Sequence, residues 1–104
     1  MNEFEKLTQE ELELYNAKNA DYTKGGEPMG NFHRVAKFFS QYPNLNISDP
    51  VIVAMVYMLK QLDAVLWMLN QGYEGGVEGV DDRLKDVHVY AKIARILYKE
   101  YKYA

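Results

Sequence analysis

The chain has 104 residues, of which 48% are hydrophobic and 13% aromatic, and this is the size and composition of one folded domain, not of a disordered segment. A formal charge of -3 and a pI near 5.3 provide no basic surface field, so we do not expect a duplex nucleic acid partner. Because it has no cysteine, the chain forms neither disulfides nor thiolate metal sites.

The N-terminal stretch is polar and acidic, which is not the pattern of a secretory signal. The longest uninterrupted apolar run, residues 51–59, is far shorter than the roughly 18 residues that a membrane span needs. We therefore expect a cytoplasmic protein without a membrane segment, located in the host cytoplasm if a phage encodes it.

The first predicted helix begins at a T-x-x-E capping box formed by Thr8 and Glu11, which leaves residues 1–7 as an N-terminal arm. Its apolar face continues until Gly25 ends the pattern. The residues of that face are Leu12, Tyr15, Asn19 and Tyr22.

The second predicted helix covers residues 31–41, where apolar side chains recur at helical spacing. Pro43 disfavours helical geometry at Tyr42 and therefore ends this helix. The apolar positions are Phe32, Val35, Ala36 and Phe39.

The third predicted helix is capped by Asp49 and has Pro50 at its first position, a pairing that favours helix initiation. Residues 51–69 are apolar on nearly every side, and a helix of that kind must be covered all round. Three neighbouring helices from one short chain can barely cover it, so we expect a homo-oligomer. The polar interruptions are Lys60, Gln61 and Asp63.

Residues 70–80 carry four glycines and predict a flexible connector, because no strand precedes them and no G-K-[ST] tail follows. The fourth predicted helix runs from Asp81 or Asp82 to Tyr101, with acids at its N-terminus and lysines near its C-terminus. The predicted fold is a single all-α domain over residues 1–104, a four-helix bundle-like arrangement completed by oligomerisation.

Asp82 and Asp86 lie one helical turn apart, a spacing at which two carboxylates can share a Mg²⁺ ion. The alternative is that Asp82 favours the helix dipole while Asp86 is solvated or paired. Glu10 and Glu13 on the first helix could add further carboxylates to such a site.

Lys60 and Asp63 interrupt the most apolar helix, where a charged group is costly unless it is paired. One interpretation is a salt bridge that fixes helix register; the other is that Lys60 meets a phosphate and Asp63 a metal ion. Arg34 could bind a phosphate as a bidentate donor, or it could belong to the solvated face of its helix.

Several short motifs occur in a distinctive order over residues 14–97. A K-N-x-D-Y helix end precedes Pro28 and N-F-x-R-V-A, then a long apolar helix reaches Lys60, and D-x-x-x-D-x-x-x-Y-A follows from Asp82. This combination resembles the all-α nucleoside triphosphate pyrophosphohydrolases of the MazG-like group, including small phage and bacterial domains.

The resemblance implies an oligomeric four-helix core that holds Mg²⁺ between helix-borne acids and the phosphates of a nucleotide. Asp82 and Asp86 match the acidic pair of the last helix, and Lys60 matches the lysine of the central helix. The chain also departs from the pattern: Thr23 stands where a glycine is expected, and Asp63 where an arginine is expected. Only Glu10 and Glu13 offer an E-x-x-E pair.

We therefore predict a nucleotide-binding site with Lys60 and Asp86 as catalytic residues of a metal-assisted hydrolysis. The predicted metal ligands are Asp63, Asp82 and Asp86. The predicted nucleotide contacts are Lys18, Asp21, Tyr22, Asn31, Phe32, Arg34, Lys60 and Tyr90. Two alternatives stay open: a non-catalytic oligomer that sequesters a nucleotide or cyclic nucleotide signal, as phage counter-defence proteins do, and a structural or interaction module.

Overall fold

The protein is all-α, and its four helices form a bundle-like fold, as the sequence predicts. The structure, a computed structural model, describes residues 1–23, 27–75 and 78–103, with side chains at 1–19, 27–75 and 78–100. The helices are α1 (Glu3–Thr23), α2 (Gly30–Ser40), α3 (Pro50–Gln71) and α4 (Val80–Tyr103).

The centre of the fold is the antiparallel pair α3 and α4. Gln61 of α3 contacts Asp86 of α4, while Tyr57, one turn earlier in α3, stacks edge-to-face on Tyr90, one turn later in α4. Small side chains let the two helices approach closely. Among the described residues, Met68 is the one large side chain that is fully buried. The buried apolar residues are Ala54, Ala64, Val65, Met68 and Ala94.

The predicted start of α3 is confirmed. Asp49 caps the helix by accepting a hydrogen bond from the Val51 amide at 2.9 Å, and Pro50 occupies the first position. The helix ends at Gln71, two residues beyond the apolar stretch, because Gly72 adopts a left-handed conformation with φ of 72° that closes the C-terminus. The predicted range of α2 is confirmed to within one residue.

The predicted start of α1 at Thr8 is wrong, because the helix already begins at Glu3. The side chain of Asn2 accepts a hydrogen bond from the Glu5 amide at 2.9 Å and therefore caps the helix. Thr8 lies inside the helix, where its hydroxyl donates to the Phe4 carbonyl at 2.9 Å. Residues 3–7, expected as an arm, are thus helical.

The helices α1 and α2 pack on the side of α3 that carries Lys60. Every residue from 1 to 18 is exposed. Before α2, a carboxylate oxygen of Glu27 lies 3.0 Å from Nδ1 of His33, and this contact ties the preceding turn to the helix. Gly30 and Asn31, at the start of α2, are buried.

Within the described residues, α3 is the one helix that is long and apolar enough to cross a membrane. This is a statement about length and composition alone, and the core helices of soluble proteins meet the same criteria. The sequence-based expectation of a protein without a membrane segment therefore stays a prediction.

Candidate functional site

A cavity of about 360 Å³ opens where the end of α1, the turn before α2 and the middle of α3 meet. This size is at the lower end of the range for small-molecule pockets. We call it the α1–α3 cavity. Its walls are formed by Tyr15, Lys18, Asn19, Pro28, Met29, Asn31, Phe32 and Lys60.

The α1–α3 cavity collects predicted site residues from three helices. Lys18 comes from α1, Asn31 and Phe32 from α2, and Lys60 from α3. The Phe32 side chain is 67% exposed, so its ring is accessible to a bound molecule. Two lysines, an aromatic ring and an amide therefore border one space.

Asn31 is held in the cavity wall by its own side chain. It is 5% exposed, and its amide nitrogen donates to Oδ2 of Asp63 at 2.8 Å and to the Lys60 carbonyl at 3.4 Å. Since a buried amide without partners would be costly, these bonds determine where the side chain lies. Both of these hydrogen bonds from the Asn31 amide nitrogen therefore go to α3.

Arg34 lies one turn further along α2 and binds the same carboxylate. Its Nε donates to Oδ1 of Asp63 and its Nη2 to Oδ2, each at 2.8 Å. The hydrogen bond to Asp63 raises the pKa of the Arg34 guanidinium, against the opposing effect of burial. The guanidinium also stacks over the Trp67 ring at 4.5 Å, a cation–π contact.

Asp63 forms an interhelical salt bridge with Arg34, which is one of the two interpretations of its place in the apolar helix. Asp63 and Arg34 line a separate cavity of about 180 Å³, so Arg34 is not in the wall of the α1–α3 cavity. Both oxygens of Asp63 are hydrogen-bonded to α2 in this arrangement. Its predicted role as a metal ligand would require this salt bridge to open.

A second space of about 420 Å³ continues from the α1–α3 cavity along the contact of α2 and α3. The two share Asn31, Phe32 and Lys60. Apart from Asn31 and Lys60, the lining of this second space is formed by apolar and aromatic side chains. A ligand in the α1–α3 cavity would therefore have an apolar trough beside it.

The two acids predicted on α4 lie outside both spaces. Oδ2 of Asp86 accepts a hydrogen bond from Nε2 of Gln61 at 3.2 Å, and Oδ2 of Asp82 accepts one from the Gly79 amide at 3.3 Å. The described part of the chain contains no group of three His, Cys, Asp or Glu side chains that could hold a metal ion. The magnesium prediction therefore stays a prediction.

One further predicted contact, Tyr90, does not line this cavity. Tyr90 packs against Tyr57 at a centroid distance of 5.6 Å and lines the groove between α3 and α4. Asp21 and Tyr22 belong to α1, but their side chains lie outside the described residues. Their predicted contacts with a ligand therefore stay predictions.

A buried polar group that the sequence patterns did not predict lies between α3 and α4. Arg83 is 2% exposed, and its Nη1 donates to Oε1 of Gln61 at 2.7 Å and lies 3.5 Å from a carboxylate oxygen of Glu78. Gln61 in turn donates to Asp86, which links the three side chains. The available signal was the position of Gln61 in an otherwise apolar run, because a buried amide needs partners.

Comparisons of the chain with protein-family models, with curated proteins and with solved structures find no match. Functional conclusions therefore depend on the geometry of the chain itself.

Proposed function

We propose that this protein binds a nucleotide or a nucleotide-derived small molecule in the α1–α3 cavity. The observation that supports the proposal is the convergence of Lys18, Asn31, Phe32 and Lys60 on one space. These residues come from three different helices, and each supplies a group that nucleotide recognition uses. The MazG-like resemblance, which no comparison supports, implies the same class of ligand.

The chemistry of the cavity suggests how such a ligand would lie. Lys18 and Lys60 are cations that would bind phosphate oxygens. Phe32 presents an accessible ring on which a base would stack. Because the amide nitrogen of Asn31 donates to Asp63, its oxygen is the atom that would accept a hydrogen bond from a base.

Binding without turnover is the form of the proposal that the described residues favour. Asp86 is hydrogen-bonded to Gln61 and does not line the cavity, and Asp63 is in a salt bridge with Arg34. Neither acid is among the described residues that line the cavity. A cytoplasmic homo-oligomer that sequesters nucleotides fits this arrangement.

Magnesium-dependent hydrolysis of a nucleoside triphosphate is the second candidate. It is favoured by the position of Asp82 and Asp86 one turn apart at the start of α4. In that case the two carboxylates would hold Mg²⁺, which would lower the pKa of a bound water. Lys60 would stabilise charge on the phosphate oxygens.

Isothermal titration calorimetry with nucleoside triphosphates and cyclic dinucleotides tests the binding proposal directly. We expect Lys60→Met and Phe32→Ala each to weaken binding by about tenfold, since one removes a cation and the other a stacking surface. Lys92→Met is the matched control, because Lys92 is exposed on α4 and lines neither space. Equal affinity of the control and the cavity variants, or no binding of any nucleotide, would overturn the proposal.

Release of pyrophosphate in the presence of Mg²⁺ separates the two candidates. Turnover by the unaltered chain that is lost in Asp86→Asn, with nucleotide binding retained, would establish hydrolysis. Retained nucleotide without released pyrophosphate would establish sequestration. A chain with neither activity would be a structural or interaction module.

A further inference from the structure

One side of α3 carries a continuous line of apolar residues that the described part of the chain covers only partly. At about 100° per residue these positions fall within a narrow sector of the helix. Leu66 is 58% exposed and Leu69 is 63% exposed. We call this line the α3 stripe; it consists of Met55, Met58, Leu62, Leu66 and Leu69.

The other sides of α3 are in contact with the rest of the fold. Ala54, Gln61 and Met68 are buried where α3 faces α4. Asp63 and Trp67 face α2 through their contacts with Arg34. The α3 stripe is thus the open side, and only 28% of the most apolar 18-residue stretch of α3 is buried.

The chain exposes more surface than a compact monomer of its size. Its accessible area is 7644 Å², whereas roughly 6,000 Å² is typical for a 12.1 kDa monomer. The radius of gyration is 16.5 Å, against about 13 Å for a compact domain of this length. The exposed residues 1–18 contribute to this excess of roughly 1,600 Å², which is larger than the ~800 Å² that each partner buries in a standard interface.

A second copy of the chain fits this surface better than a lipid bilayer does. The neighbouring helix α4 carries exposed lysines and an arginine, for which the hydrocarbon of a bilayer is a costly environment. They are Lys85, Lys92, Arg95 and Lys99. The stripe itself is uncharged, so an identical apolar stripe is its natural complement.

We propose that two copies of this chain associate through their α3 stripes in a symmetric, helix-to-helix contact. Leu62 lies at the middle of the stripe, so it meets its counterpart whether the two helices run parallel or antiparallel. Phe38 of α2 and Leu59 of α3 border the same surface and extend it beyond α3.

The contact reaches the residues that position Asn31. The space of about 180 Å³ beside the stripe is lined by Arg34, Asp63, Phe38, Leu62 and Leu66, among others. In the single chain the Arg34 side chain is 36% exposed and the Asp63 side chain 17%. A second copy seated on Leu62 and Leu66 covers this ion pair and shields it from water.

Sedimentation velocity of the full chain over a range of concentrations tests the proposal. We expect a dimer whose dissociation constant rises at least about a hundredfold in Leu66→Glu, because symmetry places the substitution in the interface twice. Ile96→Glu is the matched control, since Ile96 is 54% exposed on α4 and should leave the dimer intact. Far-UV circular dichroism establishes that each variant is folded.

Cysteine cross-linking locates the contact independently, because the chain contains no cysteine of its own. We expect Leu62→Cys to form a disulfide-linked dimer under mild oxidation and Ile96→Cys to remain monomeric under the same conditions. A chain that is monomeric at every concentration would overturn the proposal. A dimer that persists in Leu66→Glu would also overturn it, because the interface would then lie elsewhere, for example on exposed α1. Flotation of the unaltered chain with phosphatidylcholine vesicles, without self-association, would assign the stripe to lipid instead.

Discussion

Arg34 of α2 and Asp63 of α3 form a two-pronged ion pair, with both N–H···O distances at 2.8 Å. The same carboxylate accepts a hydrogen bond from Asn31, which lines the α1–α3 cavity. Asp63 itself does not line that cavity. One carboxylate therefore fastens α2 to α3 and also determines the position of an amide in the candidate site.

We expect Asp63→Ala to lower the free energy of unfolding by about 1–2 kcal/mol, because Arg34 and Asn31 both lose their acceptor. The value is moderate because the Arg34 side chain is 36% exposed and water replaces part of the interaction. Urea unfolding of Asp63→Ala, Arg34→Ala and the double variant measures the coupling energy. Additive effects of the two substitutions would contradict a direct ion pair.

The coupling between Arg34 and Asp63 should not change between about pH 6 and about pH 9. The hydrogen bond to Asp63 raises the pKa of Arg34 above its ordinary value, which already lies above this window. A group whose pKa is raised in the folded state contributes its full stabilisation at pH values below its unfolded-state pKa. That stabilisation is lost only as the pH rises through the folded-state pKa. The same double-variant cycle at both pH values checks this, and a coupling energy that falls at the higher pH would contradict it.

Gln61→Leu should destabilise the fold by about 2–4 kcal/mol. Gln61 is 8% exposed, and removing its amide takes a hydrogen-bond acceptor from the buried Arg83 and a donor from Asp86. Leucine is similar in size to glutamine, so the loss of stability measures the polar contacts of Gln61 and not the cost of a cavity. Urea denaturation measures the difference, and a Gln61→Leu protein as stable as the unaltered chain would mean that this polar cluster contributes nothing.

Gln61→Glu is the informative companion variant. A carboxylate would accept from Arg83 but would repel Asp86, whose Oδ2 lies 3.2 Å from the amide nitrogen it replaces. We expect a smaller loss than in Gln61→Leu at neutral pH. A larger loss would mean that the contact with Asp86 outweighs the one with Arg83.

Features determined by neighbouring residues were predictable from the sequence. Asp49 followed by Pro50 correctly marked the start of α3, and helical spacing correctly placed α2, because both depend on local backbone preferences. The four-helix fold followed from these patterns. The Thr8 capping box misplaced the start of α1, because Asn2 offers an equally suitable cap and nothing between them interrupts a helix.

The arrangement of the candidate site depends on tertiary packing, and spacing alone did not determine it. Of the eight predicted nucleotide contacts, Lys18, Asn31, Phe32 and Lys60 line the α1–α3 cavity, whereas Arg34 and Tyr90 do not. Whether Asp63 would meet a metal or a cation could not be decided, because its partner Arg34 is on another helix. The buried position of Arg83 was missed for the same reason: arginine in a first helical turn is usually solvated, and only the packing of α4 on α3 buries it.

The cap of α1 provides the sharpest test of the corrected helix start. Asn2→Ala should lower the local stability of the first helical turn by about 1 kcal/mol, because the Glu5 amide loses the oxygen to which it donates. Thr8→Ala should be neutral or slightly stabilising, since its hydroxyl only donates to the Phe4 carbonyl within the helix and alanine is the better helix former.

Amide hydrogen exchange followed by NMR measures this difference residue by residue. We expect faster exchange in the first turns of α1 in Asn2→Ala, with the midpoint of global unfolding unchanged because residues 1–18 are exposed. The opposite order, with protection lost in Thr8→Ala and kept in Asn2→Ala, would place the helix start at Thr8.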